Sequence, residues 1–186
     1  MILGIVVCLA FGLKVALRRP LRDVGNIRIR WQGILLSTLA LLGVFPPLAH
    51  LIHGDRSCQL ALWIAVMAVL LACCVVNLRT PGFPILTAGV LCNLAVITAN
   101  GGMPVVDSAV VAAGGHAGKA GADIFHLLSV EAPRLSVLAD VLPLPGLRGL
   151  RGVLSVGDVL MLIGTAAVIV AAGQARQASV ERARCH

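Results

Sequence analysis

The chain of 186 residues is 59% hydrophobic and only 12% charged, with a mean hydropathy of +0.98, whereas soluble domains carry about a quarter charged residues. That composition describes an integral membrane protein of one domain and leaves no room for a free-standing soluble catalytic module. A net charge of +7 would suit nucleic acid, but aromatic residues make up 3% and tyrosine is absent, so a basic surface interleaved with stacking rings is missing and nucleic acid is set aside as a partner.

Five apolar runs follow one another. The first, about residues 1–17 (MILGIVVCLAFGLKVAL), is near the short end for a membrane helix, with Lys14 able to snorkel. No basic residue precedes Ile2, while Arg18, Arg19 and Arg22 come after the run. That order predicts an uncleaved anchor with its N-terminus outside rather than a signal peptide. The second run covers about 27–51, with Trp31 at headgroup level. Pro46 and Pro47 predict that its regular helix bends or stops after Phe45. The third covers about 60–77. After the turn LRTPGFP the fourth covers about 84–99, thin for a span, with Asn93 inside it and Asn100 just beyond. The fifth covers about 156–173, opened by Ser155 and Asp158 as a capping pair and followed by a polar tail, 174–186.

Basic residues fix the orientation. Lys14, Arg18, Arg19, Arg22, Arg28, Arg30, Arg79, Arg176, Arg182 and Arg184 fall on one side, against Arg56, Lys119, Arg134, Arg148 and Arg151 on the other. By the positive-inside rule the richer side is cytoplasmic. The expected fold is therefore an all-α bundle of five transmembrane helices, N-terminus out and C-terminus in, in a bacterial inner membrane. The connection of about residues 100–155 faces outward. Its centre, AAGGHAGKAGAD, reads as mobile, whereas the apolar second half should pack on the bundle or the bilayer surface. Leu135, Leu138 and Leu142 recur at helical spacing and predict a short interfacial helix after Pro133.

Polar groups inside the membrane are where function is first sought, because each one unpaired in hydrocarbon costs several kcal/mol. Asn93 shares a helix face with Asn100; helix-to-helix hydrogen bonding is the first reading and a ligand or ion contact the second. Arg134, Asp140 and Asp158 lie toward the same outer surface, where an ordinary ion pair holding the loop down is favoured over acid–base work. Gly157, Gly164 and Ala171 recur every seven residues and form a face for close helix packing, with the partner helix left open. His50, His53, His116 and His126 lack metal-ligand spacing, so no metal is expected. Cys8, Cys73, Cys74 and Cys92 lie in apolar runs and read as small buried hydrophobes. Neither a GxSxG elbow, a Walker-type loop nor GxGxxG occurs, so no catalytic residue and no cofactor is assigned.

Three blocks are more distinctive: PGFPILTAGVLCNLAVITANGGMPV (Pro81 to Val105), RLSVLADVLPLP (Arg134 to Pro145) and VLSVGDVLMLIG (Val153 to Gly164). With the Arg-rich turn RRPLRDVGNIRIRW they resemble an uncharacterised bacterial membrane-protein family, domain of unknown function 5317. The resemblance implies a multi-pass membrane protein and supplies no substrate, cofactor or site. Two functional readings follow. The favoured one is a non-enzymatic membrane component that binds a protein partner, or a second copy of itself, and organises its neighbours. The alternative is a handler of a small solute, lipid or ion, possible as an enzyme, acting through Asn93, Asn100, Arg134, Asp140 and Asp158 at the outer end of the bundle.

Overall fold

The computed structural model describes residues 10, 12–13, 15, 27, 29–48, 55–116, 126–128, 132–146 and 152–172. These residues are mostly helical, with α1 (Gln32–Leu48), α2 (Arg56–Val76), α3 (Phe83–Asn100), the short α4 (Asp107–Ala112) and α5 (Val156–Ala171). Two of these, α2 and α3, are long and apolar enough to cross a membrane. At 17 and 16 residues, α1 and α5 are shorter. Of the first apolar run, Ala10 is helical and 3% exposed, so at that point the run is packed inside the protein. The rest of that run, the tail at 174–186, His50 and His53 lie outside the described residues.

Each helix boundary has a local cause. Asp55 accepts a hydrogen bond from the Cys58 amide through its side chain, which starts α2 at Arg56, four residues before the apolar run itself. Pro84 stands at the start of α3, where its missing N–H is not needed. At the far end Gly101 takes φ +71 and its N–H donates to the Ile97 carbonyl, closing the helix with a sharp turn. In α1 the expected stop after Phe45 does not occur: the helix continues through Pro46 and Pro47 to Leu48. Both prolines fall in the last turn, so the amide bonds they lack and the crowding of each ring against the carbonyl four residues back disturb only the end of the helix. The start of α1 is also later than the apolar run implied. Trp31 adopts φ +58, and its carbonyl accepts the first helical bond, from the Leu35 amide.

The helices pack in the sequence α1 against α2, α2 against α3, and α3 against α5. Leu35, Met67, Leu70, Cys73, Cys74, Phe83 and Val90 form the main core. The closest contact is α3 on α5. Glycines seven residues apart on each side face one another, Gly89 against Gly157 and Gly82 against Gly164. A Cβ on Gly89 would stand 2.6 Å from the Gly157 carbonyl oxygen, and one on Gly164 3.0 Å from that of Gly82. The small-residue face of the fifth run thus finds its partner within the same chain. So close an approach of two backbones multiplies dispersion contacts along the helix pair.

The long connection between α3 and α5 forms an ordered cap where it is described. Strand β1 (Met103–Val105) pairs in parallel with β2 (His126–Leu128), and β3 (Leu142–Leu144) pairs antiparallel with β4 (Gly152–Leu154). Val105 also bridges to Asp140. The interfacial helix expected from Leu135, Leu138 and Leu142 is not formed. Leu135 has φ +55, Ser136–Leu138 make one 3-10 turn, and the chain then runs extended into β3. Pro143 and Pro145 explain this, because a helix through Leu142 would need their absent amides and each proline holds the residue before it extended. Most of the Gly- and Ala-rich centre lies outside the described residues.

Candidate functional site

The start of α5 is built by the sequence SVGD. The Asp158 amide donates to Ser155 Oγ (3.0 Å) and the Ser155 amide donates to Asp158 Oδ2 (3.1 Å), a reciprocal capping box. Its negative carboxylate lies at the positive end of the helix dipole. Asn93 of α3 then completes the unit: its Nδ2 donates to Asp158 Oδ1 (2.8 Å), and its Oδ1 accepts from Ser155 Oγ (2.9 Å). This approach requires Gly157, since a Cβ there would collide with the Asn93 side-chain oxygen. Ser155 is completely buried and Asn93 is 5% exposed.

Two further asparagines act alike at helix C-termini. Asn100 Nδ2 donates to the Val96 carbonyl one turn back and to the Arg134 carbonyl (2.9 Å), while its Oδ1 accepts from the Arg134 amide (2.8 Å). Asn77 makes the same set at the end of α2, donating to Cys73 O and Arg30 O and accepting from the Arg30 amide. Each side chain substitutes for a strand partner, pairing an irregular stretch of backbone that would otherwise lack one.

Asp140 is held by two backbone bonds to β1 and the residue after it: its amide donates to the Pro104 carbonyl (2.9 Å), and its own carbonyl accepts from the Val106 amide (3.2 Å). Its carboxylate, in a residue 4% exposed, lies 3.6 Å from His126 Nε2, an ion pair when the imidazole is protonated. Register accounts for the meeting. His126 pairs with Met103 and Asp140 with Val105, two residues on one face of β1.

Below these groups lies a cavity of about 540 Å³, within the range of small-molecule sites. It is walled by α1, α2, α3 and α5 through residues such as Leu39, Met67, Val90 and Met161. Along α3 the wall extends from Phe83 to Ile97, about 21 Å at the rise of an α-helix. Its polar lining is Asn93, Asp140, Asp158, His126 and Thr165; Thr165 spends its hydroxyl on the Met161 carbonyl within its own helix.

The five residues singled out from sequence therefore divide. Asn93, Asp140 and Asp158 share the cavity, whereas Asn100 and Arg134 form a separate clamp in which Arg134 contributes its backbone. Asp140, expected from the sequence to pair with Arg134, has its carboxylate beside His126. His126 and Met103 are site residues that the sequence did not single out for this role; the pairing that brings them in joins strands only three residues long. Asn77 was equally unmarked, because an asparagine ending an apolar run looks like an ordinary terminus. Among the described residues no group of three or more His, Cys, Asp or Glu is placed to hold a metal ion. Cys58, Cys73, Cys74 and Cys92 are free thiols.

No curated protein and no solved structure matches the chain. The model of a family of unknown function, DUF5317, matches residues 26–170, which contain the glycine interlock, both asparagine clamps and every polar residue of the cavity. Since that match covers well over half of its length, the chain belongs to the DUF5317 family.

Proposed function

We propose that this DUF5317 protein is a five-span protein of the bacterial inner membrane, N-terminus outside and tail cytoplasmic, whose bundle holds one amphiphilic molecule. The orientation rests on the ten-to-five division of basic residues. Cys58, exposed at the first turn of α2, offers a native probe. A membrane-impermeant maleimide is expected to label it in intact cells; labelling only after permeabilisation reverses the orientation.

The observation that carries the binding reading is the cavity. It is long and apolar, and its ionisable groups, Asp140, Asp158 and His126, are those of the end nearest the cap. A hydrocarbon chain fits that length without leaving a polar atom in the apolar part, whereas a small hydrophilic solute would leave most of the wall unused. Met67 lines the middle and is 5% exposed, so Met67→Trp is expected to occupy the chain's place. Native mass spectrometry of the protein released from its own membrane should find a bound amphiphile in the unaltered chain and lose it in the variant. Equal adduct-free spectra from both would count against the reading.

A second reading, as a component that binds a protein partner or a second copy, is supported by the outer cap. There Leu135 and Val137 are 50% and 74% exposed beside the Arg134 clamp. Crosslinking from this turn to one stoichiometric protein partner would favour it.

A further inference from the structure

Resting on the amphiphile reading above, we propose that the cavity measures its ligand, taking a single hydrocarbon chain of about 16 carbons against a floor at Phe83 and disfavouring longer chains and two-chain lipids. The end of the cavity away from the cap is made by four stretches of sequence. Phe83 begins α3, Ile29 precedes α1, Cys74 comes from the last turn of α2 and Val168 from α5. All four line the cavity and meet in the main core. Phe83 and Cys74 are each 2% exposed, so that end is packed shut.

Two locks keep this floor from yielding. On one side α3 and α5 have no slack, since a Cβ on Gly82 would stand 2.6 Å from both the Val168 amide nitrogen and its side chain. On the other, the Asn77 side chain at the end of α2 binds the amide and the carbonyl of Arg30, which fixes the adjoining Ile29. A chain too long for the well therefore has to lift its head away from Asn93 and Asp158 at the opposite end. The depth follows from α3, whose lining residues run from Phe83 to Ile97, about 21 Å. Carbon–carbon bonds of about 1.5 Å meeting at about 111° advance an extended chain by about 1.25 Å each, so that depth accepts about 16 carbons. Spread over the same depth, the volume of about 540 Å³ gives a mean cross-section of about 26 Å². A methylene group, similar in size to a water molecule at about 30 Å³, needs about 24 Å² at that advance. One chain fills the well, and a lipid with two has to leave the second outside.

Trp63 lines the cavity and is one of two tryptophans, so in a Trp31→Phe background its fluorescence reports occupancy directly. The probes are monolaurin, monopalmitin, monoarachidin and dipalmitin, which share one uncharged head and differ in chain length or number. They are titrated into the full chain purified in a sterol-based detergent, which brings no alkyl chain of its own to compete. Saturable changes are expected with monolaurin and monopalmitin, and binding at least tenfold weaker than monopalmitin with monoarachidin and with dipalmitin. Phe83→Ala deepens the well and should bring monoarachidin to within threefold of monopalmitin; Ile29→Ala gives the same reading where the first variant does not fold. Monoarachidin or dipalmitin binding as tightly as monopalmitin, or a length preference unmoved by the floor substitution, overturns the ruler while the amphiphile reading stands. Trp63 unresponsive to all four lipids overturns both.

Discussion

Gly157→Val is expected to leave no stably folded protein. The added carbons would enter space already held by the Asn93 side chain and, 2.8 Å from the Cβ position, by the Gly89 carbonyl oxygen. Backbone cannot rotate away as a flexible side chain can, so α5 would have to move off α3 along the length of their contact. Overpacking costs about 1–3 kcal/mol where neighbours can relax. Here relaxation would also break two side-chain hydrogen bonds, so about 4 kcal/mol or more is expected, comparable with the whole stability of a marginal domain at about 5–15 kcal/mol. Size-exclusion profiles and thermal melts of detergent-solubilised protein measure it. Gly33→Ala in α1, where a Cβ meets nothing within 4 Å, is the control and should melt at or slightly above the unaltered chain. A Gly157→Val protein that stays monodisperse with unchanged melting would show that the interlock is not what joins these helices.

Asn93→Leu is expected to be nearly as damaging, by a different route. The substitution preserves size but withdraws the donor from Asp158 and the acceptor from the buried Ser155 hydroxyl. Hydrogen bonds between membrane helices average only about 0.6 kcal/mol, because the separated helices find other partners. Two considerations raise the figure here. One acceptor is a carboxylate, and the hydroxyl serves as the cap of a helix start, so about 2–4 kcal/mol is expected. Asn93→Asp gives the discriminating test. It retains the shape but sets two carboxylates in contact, so it should be less stable than Asn93→Leu near pH 7. It should then recover as pH falls and one carboxyl takes a proton to donate. Melting curves for both variants across that pH range decide the matter; an Asn93→Asp variant indifferent to pH would sever Asn93 from Asp158 functionally.

How far these features were readable depends on how local they are. Ser155 and Asp158 are three residues apart, and the box they form in the structure is the one their spacing announced. Asn93 stood out as a polar residue in an apolar run, yet its partners are 62 and 65 residues away and nothing in its surroundings names them. Gly157 and Gly164 were legible as a packing face, while their opposite numbers Gly82 and Gly89 are identified only once α3 and α5 are seen together. The cap was the hardest part. Its strands have three residues each, too short to show alternation, and the leucine spacing at 135, 138 and 142 imitated a helix that Pro143 forbids. The end of α1 misled in the opposite direction, since two prolines that signal a stop were tolerated in its final turn.

The separation of Asn93 from Asp158 also sets a timetable for biogenesis. A ribosome adds about 5–20 residues per second, so roughly 3–13 s pass between the synthesis of Asn93 and that of its carboxylate partner, 65 residues later. On the five-span reading, α3 reaches the bilayer during that interval while the outer connection is still being exported. For those seconds its amide has neither Ser155 nor Asp158, and its glycines face no helix. The nascent chain must shelter that face in the insertion machinery or against α2 until α5 arrives, so the late arrival of α5 is what turns a provisional arrangement of helices into a committed bundle.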